Sequence, residues 1–305
     1  MEPISGNSSQ VYIVTGATSG FGWILVYKLL TAGHSVVATT RNKVKLDQKV
    51  ADYFKNDENV LKRYLGCQVD LADRQSIELC VKQTVQKFGR IDILINNAGY
   101  YLYGHVEDMS DKELRDNFDV NYFGPVNFVK LALPFLRESA KTNTTGSRVL
   151  NIASMAGVSG NEFMGMSSYV STKFALEGFS DVLYSELKPL NIHVTSVKPG
   201  GFKTEILTEP SPCSAHYPSA NYPHVSVANW DQQKVGLLNG DPVKLVDLLI
   251  KVCTNPNPPQ HLVIGPDAYG LVNGKYKRVQ DDMALLQAEC TATNFDGIPA
   301  AATTN

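Results

Sequence analysis

VYIVTGATSGFG, residues 11–22, decides the fold of this chain. A short apolar run rich in β-branched residues ends in a string of small ones, Thr15 to Gly22. An amphipathic stretch then runs from Gly20 to Ala32 and is closed by Gly33, the residue type suited to the left-handed position after a helix end. Strand, glycine turn and helix in that order let backbone amides approach a pyrophosphate and aim the positive end of the helix at it. The spacing is G-x-x-x-G-x-G, with Gly16, Gly20 and Gly22 as the fixed points and Thr18, Ser19 and Phe21 between them.

Working outward, five more strand-like runs follow: SVVATT at 35–40, YLGCQVD at 64–70, IDILIN at 91–96, RVLNIA at 148–153 and HVTSVK at 193–198. Longer helical patterns separate them. The alternation is a βαβ rhythm, and strands apolar on both faces expect helices on both sides of a parallel sheet wound by right-handed crossovers. The fold class is therefore α/β, a doubly wound parallel sheet. Ser110 with Glu113 reads as a capping box, and Asp241-Pro242 as a cap and first-turn proline ahead of VKLVDLLIKV. Residues 201–240, rich in Pro, Ser, Asn and Tyr, read as a long functional loop on the substrate side, and a last helix is expected over 267–289. One domain over 10–290 is expected, flanked by a flexible arm at 1–9 and a disordered tail at 291–305.

Composition narrows the function. The 305 residues carry a formal charge of -2 and are 43% hydrophobic, and the scattered Lys and Arg offer no footprint for nucleic acid. No apolar stretch is long enough to span a bilayer, and MEPISGNSSQ does not read as a secretory or transit segment, so a cytoplasmic protein is expected. Five cysteines, widely spaced and without a CxxC pair, read as reduced thiols; neither a disulfide framework nor a metal site is expected.

The second strand ends Thr40-Arg41-Asn42-Lys43, with no acid between Gly22 and Asp47. A carboxylate there would hold a ribose hydroxyl, whereas Arg41 can pair with a 2′-phosphate, so NADP(H) is preferred and NAD(H) stays possible. Asp70, after the third strand, can accept from an adenine amino group or cap the next turn. Tyr169 and Lys173 stand four apart on one helix face, a spacing at which an ammonium can lower a phenol's proton affinity. Ser154 closes the fifth strand at the carboxyl edge where ligands bind, and Asn121 is a polar residue in an apolar helix, either a site residue or a satisfied core amide.

These segments, with NNAG at 96–99, NYFG at 121–124, YVSTK at 169–173 and PGGFKT at 199–204, resemble the short-chain dehydrogenase/reductase family in order and spacing over residues 10 to 205. The resemblance implies a single Rossmann-like domain with seven strands and a tetrad of Asn121, Ser154, Tyr169 and Lys173. It also implies that Asn97, Ala98 and Gly99 line the cofactor path, and that Lys173 holds the nicotinamide ribose. Pro199, Gly200, Phe202 and Thr204 would flank the nicotinamide end. The activity implied is interconversion of a carbonyl and an alcohol with Tyr169 as general acid/base; the alternative is a non-catalytic dinucleotide sensor on the same fold. The spacer between Ser154 and Tyr169, through VSGNEFMG, is longer than the family's usual one, so an enlarged substrate-side loop is expected. Tyr101, Tyr103, Met155, Phe163, Met164, Phe202 and Trp230 are the pocket candidates, an apolar set that suits a hydrophobic small molecule. The resemblance further implies that helices over 110–140 and 168–188 pair across a two-fold axis in a homodimer or homotetramer.

Overall fold

Each run read as a strand pairs in parallel with its neighbours in a computed structural model that describes residues 9–204 and 238–295. Trp230, Cys213 and most of the expected arm, loop and tail lie outside the described residues. The strands are β1 (Val11–Val14), β2 (Ser35–Thr40), β3 (Tyr64–Gln68), β4 (Ile93–Asn96), β5 (Ser147–Ile152), β6 (Ile192–Pro199) and β7 (His261–Ile264). Helices α1 (Gly20–Thr31), α2 (Lys43–Tyr53), α3 (Glu58–Leu61), α4 (Arg74–Phe88), α5 (Asp111–Phe118), α6 (Gly124–Thr142), α7 (Ser167–Leu187) and α8 (Pro242–Thr254) connect them. After β7 come α9 (Pro266–Leu285) and the short α10 (Gln287–Thr291).

The seven-stranded sheet runs β3-β2-β1-β4-β5-β6-β7. Strand order reverses between β1 and β4, and a crevice opens at the carboxyl ends there. Tyr12 and Val14 of β1 pack under α1 with Leu25, Leu29 and Leu249, while Ile13 packs on the other face with Leu94, Phe128 and Val149. The period-two alternation thus divides one strand between two cores, each buried side chain contributing about 1.5–3 kcal/mol.

The caps behave as expected: Ser110 and Glu113 form a reciprocal box, Asp241 accepts from Val243 N, and Gly33 has φ +91°. Other features differ from expectation. The seventh strand, absent from the runs above, is only four residues long with an exposed first residue, so it has little local signature. The helical stretch after Ser110 contains a wide turn at Asp119–Phe123 with π-helical bonding. The last helix breaks at Leu286, between α9 and α10.

Among the described residues, no helix is long and apolar enough to cross a membrane. Cys67, Cys80 and Cys253 are buried free thiols and Cys290 is exposed. Glu177, Asp181 and His261 converge where α7 meets β7, yet the cation there is Lys198, whose Nζ lies 2.7 Å from Glu177 Oε1.

Asp92 ties the starts of two central strands together. Fully buried, it accepts from Val11 N at 2.8 Å and pairs with Arg90, whose Nη2 is 2.6 Å away. Asp92→Ala leaves a buried amide without its acceptor, and we expect it to lower unfolding free energy by about 2–4 kcal/mol with an unchanged denaturant slope. A loss too small to measure in urea titration would refute this role.

Candidate active site

The glycine turn leaves the sheet from β1, which lies between β2 and β4. Gly16 has φ +66°, and a Cβ there would sit 2.9 Å from Ala98 Cα. At Gly22 a Cβ would meet Gly16 O at 2.2 Å, so helix and turn touch directly through the missing side chain. The Thr15 hydroxyl accepts from Asn97 N and Ala98 N, both at 2.9 Å, and Asn97 Nδ2 donates to Thr15 O at 2.8 Å. The turns after β1 and β4 are thereby locked into one floor, with Ser19 at the start of α1 giving no side-chain bond to its first turn. No acid occupies that turn. An uncapped helix start over a glycine floor is the form a pyrophosphate fits, and Gly20 adds room, its nearest neighbour being Thr204 at 3.5 Å from an ideal Cβ.

At the β2 end, Thr18 and Thr40 hydroxyls bond each other at 2.8 Å, and Arg41 is exposed with no ion pair among the described residues. Asp70 Oδ1 accepts from Ala72 N at 3.0 Å, so the structure realises its turn-capping alternative. Phe202 lies where the first turn of α1 meets the turn after β6. It is buried in the core under α1, edge-on to Phe21 with ring centroids 5.7 Å apart, and Gly240 packs on its ring. Gly200 and Gly201 are held from α9, where Asp267 Oδ2 accepts from Gly201 N at 2.6 Å.

The four candidate catalytic side chains converge. Ser154, extended at the end of β5, accepts from Ala156 N at 3.1 Å, and its hydroxyl acts on the Tyr169 phenol by favouring the ionised form. Lys173, one turn along α7, donates to Ile152 O at 2.8 Å, and its Nζ lies 5.6 Å from the Tyr169 ring centroid. Gly99 forms the bare wall beside them: a Cβ there would be 3.0 Å from Asn121 Oδ1 and 3.4 Å from Lys173 Nζ. Asn121 sits in the wide turn; its Oδ1 accepts from Tyr100 N at 3.0 Å, and its Nδ2 donates to Tyr100 O at 2.8 Å and Thr172 Oγ1 at 3.1 Å.

Burial sets the electrostatics. It pushes the Tyr169 phenol up, with the Ser154 hydrogen bond pulling the other way, and brings the Lys173 amine down to about 8. For the phenol, burial is the larger cause and the Ser154 hydroxyl the opposing one.

The substrate side carries an aromatic cluster. Tyr101, Tyr103 and Met166 are buried together, with Tyr100, Phe163, Tyr169 and Val170 packed against them. Met155 is half-buried beside Ser154, whereas Met164 is 59% exposed and outside this wall. The enlarged spacer is fastened from a distance: Arg278 Nη2 on α9 donates to Ser159 Oγ and to Glu162 Oε1, each at 2.8 Å, and Ser159 Oγ donates to Glu162 Oε2 at 2.7 Å. Asp267, Ser159, Glu162 and Arg278 escaped the sequence reading because nothing local marks a partner 66 residues away, as for Asp267 and Gly201, or 116 and 119 away, as for Arg278 with Glu162 and Ser159. Asn117 also escaped it; it donates to Tyr100 O at 3.0 Å, and its helical spacing of four from Asn121 could have pointed to it.

The family model of the short chain dehydrogenases matches residues 10–212. The chain is similar to an uncharacterized oxidoreductase of Schizosaccharomyces pombe, 31% identical over 93% of this chain and 91% of that one. It is also similar to a 3-ketodihydrosphingosine reductase of Bacteroides thetaiotaomicron, 31% identical over 84% of this chain and 88% of the other. Among solved structures, a short-chain dehydrogenase from Streptomyces avermitilis superposes with a TM-score of 0.79 at 30% identity, covering 95% of this chain and all of that one.

Burying Lys173 should cost stability. Below pH 8 its amine is charged in both folded and unfolded chains and the full desolvation cost applies; between about 8 and the ordinary 10.5 the folded amine is neutral first, so stability rises with pH. Lys173→Met should accordingly be more stable than the parent by about 1–3 kcal/mol at pH 7, with the gap closing as pH rises through that window. Thermal denaturation at several pH values checks this, and a variant less stable at pH 7 refutes it.

Proposed function

We infer the activity from one premise: this chain belongs to the short-chain dehydrogenase family, and is an oxidoreductase of that family. We propose that it interconverts a ketone or aldehyde and the corresponding alcohol on a hydrophobic small molecule, with NADP(H). The observation that carries the proposal is the buried Lys173 amine, its Nζ 5.6 Å from the Tyr169 ring centroid and beside the bare wall of Gly99, with Ser154 at the end of β5 acting on the same phenol.

A nicotinamide dinucleotide, held by the turn at Gly16–Gly22 and along Asn97, Ala98 and Gly99, supplies the hydride donor or acceptor. Pro199, Gly200 and Thr204 border its far end, and Arg41 binds the 2′-phosphate. The Ser154 hydroxyl orients the substrate oxygen and stabilises charge developing on it. Tyr169 donates its proton to that oxygen in reduction and takes it back in oxidation. Lys173, protonated at neutral pH, stabilises the phenolate so formed; Asn121 fixes the Tyr100 backbone and Thr172 that flank it. The aromatic cluster around Tyr101 and Tyr103 favours an apolar substrate, as does the likeness to a relative named for reducing a long-chain ketone. The exposed Phe174 and Val182 on α7 support pairing of that helix with a second copy, and the buried free thiols suit the cytoplasm.

Tyr169→Phe should reduce kcat by at least ~10²-fold while the NADPH dissociation constant stays within about twofold, as for loss of a general acid. Loss of NADPH absorbance against a panel of ketones and aldehydes measures the first and fluorescence titration the second; undiminished turnover would overturn the assignment. Arg41→Asp should weaken NADPH binding ~10–100-fold and spare or improve NADH, since a charge-assisted contact becomes a repulsion. Equal loss for both cofactors would show that Arg41 does not read the phosphate.

A further inference from the structure

α9 carries a feature that neither the chemistry nor the sheet uses. Tyr269, Val272, Tyr276, Val279 and Met283 recur along it at alternating steps of three and four, a heptad spacing that Leu286, at the turn just past its end, continues. Five of the six are exposed, Tyr276 at 58% and Met283 at 68%, and from Val279 to Cys290 every residue is exposed. Helical turns that bury nothing are marginal in water, and an apolar stripe held out to solvent is uncommon without a partner.

We propose that α9 pairs antiparallel with α9 of a second copy of this chain. The charges beside the seam select both partner and direction. Lys275 and Asp282 occupy equivalent heptad positions on one flank, and neither has an ion pair among the described residues. The outward-facing Lys277 and Asp281, in contrast, already pair within the helix at 2.9 Å. In a parallel pair Lys275 would face Gln280, and Asp282 would face the break after α9. An antiparallel pair brings Lys275 of each copy to Asp282 of the other, twice by symmetry, and stacks Tyr276 of each against Val279 of the other.

A lipid surface is the other occupant an apolar stripe can have. From Lys275 to Glu289 there are three basic residues (Lys275, Lys277, Arg278) and three acidic ones (Asp281, Asp282, Glu289), without the cationic excess that draws a helix to anionic lipid. This seam is separate from the α7 surface above, and the inference does not rest on the proposed reaction.

The test uses the full chain with Cys213→Ser and Cys290→Ser. Tyr276→Cys and Val279→Cys proteins bearing different tags are mixed and oxidised; the proposal requires the mixed disulfide to exceed both self-linked products. In sedimentation, Met283→Glu should raise the dissociation constant of one association step at least about tenfold, with circular dichroism and thermal unfolding of the domain unchanged. Lys275→Asp should weaken the same step, and Lys275→Asp with Asp282→Lys should restore it. Unchanged mass for Met283→Glu, or no excess of the mixed disulfide, overturns the proposal. So does seam-dependent binding to phosphatidylcholine vesicles by a protein whose mass the substitutions leave alone.

Discussion

A charged amine held inside the protein without a carboxylate beside it is the constraint on which the rest of the site depends. Lys173 is buried, and among the described residues its ammonium has one hydrogen-bond acceptor, the carbonyl of Ile152. Desolvation of that kind is tolerated when the surroundings leave the group nowhere else to go. Here the surroundings are glycines: Gly99 opens space at Nζ, and Gly157 lets the turn after Ser154 lie directly on the helix, where a Cβ would be 2.7 Å from Lys173 O. The amine is thus placed by absent side chains on two different turns, and the stability given up is the cost of keeping a charge beside the phenol.

The wide turn around Asn121 belongs to the same arrangement. An extra residue per turn moves Asn121 off the regular helical track, and its amide then satisfies both backbone groups of Tyr100 while touching Thr172. Thr172 in turn donates to Tyr169 O at 2.7 Å. One side chain therefore connects the loop bearing the aromatic wall to the helix bearing Tyr169, a local irregularity of the sort that clusters at functional sites.

What could be read from the sequence is what short-range chemistry encodes. The first turn was legible because β-branched residues, glycines at fixed offsets and a closing Gly33 all lie within two dozen positions. Ser154, Tyr169 and Lys173 were legible because strand ends and helical spacing put them at one sheet edge. The strand at His261–Ile264 was not, since it is short and finds β6 across some sixty residues. The contact of Phe202 with Phe21 was not legible for a related reason: an aromatic after a Pro-Gly-Gly turn does not show in sequence which ring it will meet. Local pattern likewise carries no warning that burial raises the Tyr169 phenol, because burial is a property of the whole fold.

The fastening of the spacer by Ser159, Glu162 and Arg278 separates two jobs along the chain. Gly160 to Gly165 hang from a distant helix rather than from the turn that holds Lys173, and Gly104 N donates to Gly165 O at 2.7 Å, joining that stretch to the Tyr103 loop. Between those two anchors Phe163 packs into the aromatic cluster with Tyr169, and a Cβ on Gly160 would sit 3.1 Å from Val170 Cγ1. The segment that walls the aromatic cluster thus answers to two parts of the fold at once, α9 through Arg278 and the Tyr103 loop through Gly165.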